Sequence, residues 1–138
     1  MSSALTLADT GVLVALLNHK EQHHAWAVEE FRALRAPIRT CEPVLTETYF
    51  LLAPLPGGPL RFFEFLNSGM LDIDLLVLQE REALWKLIHK YEDLPMSLAD
   101  ACLVRLAEMN PGASAFTLDT HFHVYRKNGR QQIPVIMP

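Results

Sequence analysis

Four acidic side chains stand where acids are tolerated only if they act together. Asp9 closes the apolar run Ala4-Leu5-Thr6-Leu7-Ala8, and Asp119 closes a second, Ala113-Ser114-Ala115-Phe116-Thr117-Leu118. Glu47 and Asp100 fall on the apolar stripes of two predicted helices. Val44, Phe50 and Leu51 flank the first at helical spacing, and Leu103, Val104 and Ala107 flank the second. Burying an unpaired carboxylate is unfavourable, and burying several requires a positive partner. At ~4 Å two like charges repel by ~4 kcal/mol at an effective dielectric of about 20, so clustered carboxylates need cations. A divalent metal held by oxygen ligands is the simplest such partner, and the chemistry it implies is metal-dependent hydrolysis.

Each acid also has a plainer role. Asp9 and Asp119 can cap the helices that follow them, and Glu47 can be a solvated helix residue. Ser97-Leu-Ala-Asp100 fits a capping box, with Ser97 as the cap and Asp100 reaching back. Taken together, four separate accidents are then needed where a metal site needs one cause. The histidines, including His23-His24 and His121-Phe-His123, have no cysteine pair beside them and read as surface or capping groups, not zinc ligands. Arg126, Lys127 and Arg130 form a small basic cluster close in sequence to Asp119; most such clusters are simply solvated, yet this one could meet a nucleic-acid backbone. Trp26, Trp85 and the phenylalanines read as core or interface.

The elements that must carry these groups alternate between strand and helix, the pattern of a parallel α/β sheet. Strands are expected at 4–8, 38–41, 70–76, 114–118 and 133–136. Helices are expected at 10–18, 22–35 (with Trp26, Phe31 and Leu34 inward), 43–52, 60–68, around Leu84 to Tyr91, 97–109 and 121–127. The Pro/Gly-rich stretch 53–59 is a helix break, too short for a domain linker, so residues 1–138 read as one domain. Ligands bind beyond the carboxyl ends of the strands in such sheets. Asp9 and Asp119 stand at strand ends, and Glu47 and Asp100 lie early in helices, so all four can converge on one rim.

The 138 residues suffice for a real core; half are hydrophobic and a fifth charged, as in ordinary globular proteins. A formal net charge of −4 argues against a protein that coats nucleic acid, but bound cations would reverse the sign of an acidic nuclease site. Cys41 and Cys102 lie among apolar residues and read as reduced, buried thiols. Neither a signal peptide nor a membrane-length apolar run is present, which points to a soluble, cytoplasmic protein.

Four segments resemble the PIN-domain nucleases, most closely the VapC-like toxins of prokaryotic toxin–antitoxin systems. They are Leu7-Ala-Asp-Thr-Gly-Val-Leu-Val-Ala-Leu-Leu17, Pro43-Val-Leu-Thr-Glu-Thr48, Ser97-Leu-Ala-Asp-Ala-Cys-Leu-Val-Arg-Leu-Ala-Glu108 and Phe116-Thr-Leu-Asp-Thr-His-Phe122. Their order and spacing match the family, and together they span nearly the whole chain. The resemblance implies a three-layer fold with a central, mostly parallel sheet of four to five short strands flanked by helices. It implies that Asp9, Glu47, Asp100 and Asp119 are the family's acidic quartet, and that Thr117 is the hydroxyl residue two before the last acid. It also implies Mg²⁺ or Mn²⁺ as cofactor and RNA as substrate. A homodimer and a cognate antitoxin would be the protein partners. Asp9, Asp100 and Asp119 are the expected ligands; Glu47 would be a ligand or position the water, and Thr117 would support the site or touch phosphate. A free-standing RNA-processing nuclease and a catalytically silent PIN-like module are the rival readings. A haloacid-dehalogenase-type phosphatase needs a second Asp where Gly11 stands, and no phosphate-loop motif occurs. Apolar residues at Val12, Leu13, Leu16 and Leu17, at Tyr49 to Leu52, and at Phe62, Phe63, Phe65 and Leu66 exceed what a small sheet can cover and predict self-association.

Overall fold

The computed structural model describes residues 5–34 and 37–138. The expected strand start at Ala4 and helix end at Arg35 lie outside the described residues. Five short strands form one parallel sheet: β1 (Thr6–Ala8), β2 (Ile38–Arg39), β3 (Leu71–Asp72), β4 (Ser114–Phe116) and the last, β7 (Val135–Ile136). Their spatial order is β3-β2-β1-β4-β7. Leu7 is the hinge of the register, paired with Arg39 on one side and Ala115 on the other. Six α-helices flank this sheet among the described residues: α1 (Thr10–Leu17), α2 (His24–Ala33), α3 (Glu42–Leu52), α4 (Gly58–Asn67), α5 (Arg81–Lys90) and α6 (Leu98–Met109). The architecture is the expected three-layer α/β fold.

Sequence order explains where the fold opens. The chain builds outward from β1 through β2 to β3, then crosses back to place β4 on the other side of β1. The reversal lies between β1 and β4, and a crevice at the carboxyl ends of the strands opens at such a switch point. Asp9 directly follows β1, and Asp119 follows β4 by three residues. The core beneath is built by Leu7, Ala8, Val12, Leu13, Val44, Leu103, Val104 and Phe116, all buried. Trp26 packs its ring 5.5 Å from that of Phe116, and Phe31 and Leu34 join it against the core, as their spacing predicts. Cys41 and Cys102 are buried and free. No helix among the described residues is long and apolar enough to cross a membrane.

Three expectations change. The third strand is only Leu71–Asp72 and lies at the sheet edge, where Arg39 reaches both Asp72 (2.7 Å) and Asp74 (3.3 Å). Short, charged edges of this kind discourage pairing with other chains. The segment 121–127 is not a helix to its end: a 3₁₀ turn covers Thr120–His123, and Arg126–Lys127 is β5 of a hairpin with β6 (Gln131–Gln132). Asn128 and Gly129 both take left-handed φ, 51° and 85°, as a tight hairpin turn requires. Phe50 and Leu51 do not share Glu47's inward face; they are 74% and 48% exposed, and the buried side of α3 is Val44, Thr48 and Leu52. Trp85, read as core or interface, is exposed and stacks 5.4 Å from the His89 ring.

Candidate metal centre

Asp9 ends β1 and opens α1, and both roles are visible in its hydrogen bonds. One carboxylate oxygen, Oδ1, accepts from the Thr10 backbone N–H at 2.7 Å, which is the cap. The other, Oδ2, accepts from the Thr117 hydroxyl at 2.7 Å. That hydroxyl in turn accepts from the Asp119 backbone N–H at 2.9 Å. Thr117 is fully buried and engaged on both sides, so it links two acids and does not face a phosphate. Asp119 repeats the pattern of Asp9: its Oδ1 accepts from the His121 N–H at 2.9 Å and caps the 3₁₀ turn, with His121 Nδ1 3.3 Å away.

Asp100 arrives from a third direction, the first turn of α6. The capping box read from Ser97 to Asp100 is present: the Ser97 hydroxyl accepts from the Asp100 N–H, and Asp100 Oδ2 accepts from the Ser97 N–H. Behind it Leu103, Val104 and Ala107 are buried, so the apolar stripe of α6 sets the face that Asp100 shares. Capping and clustering are therefore one arrangement. Helix N-termini supply N–H donors and partial positive charge, which make a dense set of carboxylates tolerable.

Ligand atoms of Asp9, Asp100 and Asp119 lie within 4.8 Å of one another. Glu47 faces the same shallow concavity but stands outside this trio. It projects from α3, and the Thr10 hydroxyl donates to its Oε1 at 2.7 Å, holding it at the rim. The electrostatics follow the geometry. Burial pushes Asp9 up to about 6, opposed by its two hydrogen bonds and reinforced by the charges of Asp100 and Asp119. Burial also raises Asp100, helped by Asp119, while bonds from Ser97 and Tyr125 pull it down. Three oxygen donors converge where full ionisation is resisted, a combination that fits a hard divalent cation.

The basic cluster is placed differently. Arg126 turns its guanidinium onto the carbonyls of His123, Val124 and Tyr125, and Lys127 is buried, which leaves Arg130 exposed. His24 Nδ1, read as a surface or capping group, instead contacts the Ala15 carbonyl at 2.7 Å and ties the start of α2 to α1. Two site residues escaped the sequence reading, Thr10 and Tyr125. Thr10 follows Asp9 directly, which was a signal; Tyr125, whose hydroxyl donates to Asp100 Oδ2 at 3.2 Å, is marked by nothing in its sequence neighbourhood.

With this geometry in place, comparison with known proteins defines the class. The PIN domain pattern matches residues 6–128, and the chain belongs to the PIN domain family. Its fold is similar to a crystal structure of Mycobacterium tuberculosis VapC20, described as a sarcin-ricin loop cleaving toxin. The TM-score is 0.74 at 20% identity, over 83% of this chain and 90% of that one. No curated protein matches the chain.

Proposed function

We propose that this protein is a metal-dependent endoribonuclease, one PIN domain over residues 1–138, acting in the cytoplasm as the toxin of a toxin–antitoxin pair. The observation that carries this reading is the convergence of Asp9, Asp100 and Asp119 from β1, α6 and the loop after β4. One solved structure it resembles is described as a sarcin-ricin loop cleaving toxin, which supports the choice of RNA as substrate.

Asp9, Asp100 and Asp119 would hold Mg²⁺ or Mn²⁺. Such an ion lowers the pKa of water and steadies charge on a scissile phosphate. The protein's own groups do the rest. Asp9 has both oxygens engaged by donors, which fixes its orientation. Glu47, held by Thr10 at the rim, would position the attacking water and take its proton as the new P–O bond forms, while the old P–O bond breaks and its leaving oxygen takes a proton from solvent. Thr117 keeps Asp9 and Asp119 in register. Of the basic cluster, Arg130 is the exposed member and offers charge to the RNA backbone. Tyr49, Phe50 and Leu51 of α3, with Leu60 and Phe63 of α4, form an exposed apolar surface for a second copy in a homodimer or for an antitoxin helix.

Purified protein should cleave a structured RNA with Mg²⁺ or Mn²⁺ and stop when a chelator is added. Asp100→Asn should abolish cleavage while the protein stays folded. Undiminished cleavage with all four acids changed to amides would sink the reading; a folded wild type that binds Mn²⁺ but leaves RNA intact would favour a silent binding module.

A further inference from the structure

Asp100 and Asp119 come from separate elements, and nothing in α6 or β4 alone fixes the distance between them. Tyr125 spans that gap. Its backbone N–H donates to the His121 carbonyl at 3.0 Å, tying it to the turn that Asp119 caps. Its hydroxyl donates to Asp100 Oδ2 at 3.2 Å. The ring between is fully buried and clamped edge-on by Phe122 (5.2 Å) and Tyr91 (5.1 Å). Tyr91 is itself fixed, because its hydroxyl accepts from the Arg126 N–H at 2.8 Å. Asp100 Oδ2 thus has two donors, Tyr125 and the Ser97 N–H. Oδ1 accepts no hydrogen bond among the described residues, which leaves it for a ligand. Outer partners that orient a ligating carboxylate in this way set metal affinity.

Resting on the metal-dependent reading above, we infer that Tyr125 is a positioning residue for the metal centre: it locks Asp100 to the Asp119 turn and presents Asp100 Oδ1 to the ion. The test is Mn²⁺ binding by calorimetry on the full chain, alongside RNA cleavage over a Mn²⁺ series. Tyr125→Phe keeps the packed ring and removes only the hydroxyl. It should melt cooperatively, bind Mn²⁺ about tenfold more weakly, and regain near wild-type cleavage at saturating Mn²⁺. Tyr91→Phe, which removes a hydroxyl from the same ring cluster without touching Asp100, should keep wild-type affinity. Unchanged affinity in Tyr125→Phe, or an equal loss in Tyr91→Phe, overturns the inference and leaves the nuclease reading standing. Wild-type protein that binds no Mn²⁺, or Asp100→Asn with undiminished affinity, overturns both.

Discussion

Asp9 is a helix cap and a clustered acid at once, and its energetics carry a sign that can be measured. Its folded pKa, about 6, lies above the unfolded value of 3.8. Between these values the folded chain holds a proton that the unfolded chain releases, so metal-free stability falls as pH rises from about 4 to 6. The shift amounts to about 3 kcal/mol lost by neutral pH. Asp100, shifted in the same direction, adds to the slope. Asp9→Asn keeps an oxygen for the Thr10 N–H and removes the charge. Thermal melts in chelator should therefore show a flatter pH profile for the variant and a higher melting temperature at pH 7. Equal slopes for both proteins would contradict the desolvation argument. Thr117→Val, nearly the same shape, leaves Asp9 Oδ2 and the Asp119 N–H without their bridge. Urea denaturation should report a loss of about 1–3 kcal/mol, with Thr117→Ser close to wild type.

At the scale of elements, the start of α6 and the junction of α3 with α4 are the sensitive points. Removing the Ser97 hydroxyl leaves the Asp100 N–H uncapped, and Ser97→Ala should lose about 0.5–2 kcal/mol in the same denaturation assay. Gly58 opens α4 directly against the end of α3. A Cβ there would sit 1.8 Å from the Leu52 carbonyl oxygen, so Gly58→Ala must displace backbone. A lowered melting temperature is expected, together with loss of the packing between Leu52 and Phe62. The helices were legible because their apolar residues recur at 3.6-residue spacing and their stops are Pro and Gly. The C-terminal hairpin was missed: the apolar residues Phe122, Val124 and Tyr125 imitated a helix and masked the turn signal Asn128-Gly129. Val124 is exposed while Phe122 and Tyr125 are buried, a pattern that a 3₁₀ turn running into a strand produces as readily as a helix.

For the whole molecule, the apolar residues counted in the sequence divide into two sets. Val14, Leu52 and Phe62 make a small second core with Leu17, Leu45, Leu55 and Leu66 against it, and Val12 and Leu13 join the main one. Self-coverage therefore accounts for much of the apparent excess. Tyr49, Phe50, Leu51, Leu60 and Phe63 remain exposed on neighbouring helices. Light scattering should give twice the chain mass, and Phe50→Glu combined with Phe63→Glu should return a monomer that still binds Mn²⁺. A wild-type monomer at high micromolar concentration would leave that surface to another partner.

The sequence alone determined the alternation of strands and helices and the parallel sheet, and it singled out the four acids as candidates. Periodicity, chain breakers and acids at the ends of apolar runs are local properties, and local properties can be read along a chain. Only the tertiary structure decided that three acids converge while Glu47 is held aside by Thr10. It also decided that Thr117 bridges and does not face solvent, that Arg126 is turned onto carbonyls, and that Tyr125 reaches Asp100. Each of these depends on contacts between residues far apart in the chain or on the direction of a side chain at a turn. The reversal of strand order between β1 and β4 brings those residues together, and no window of sequence contains it.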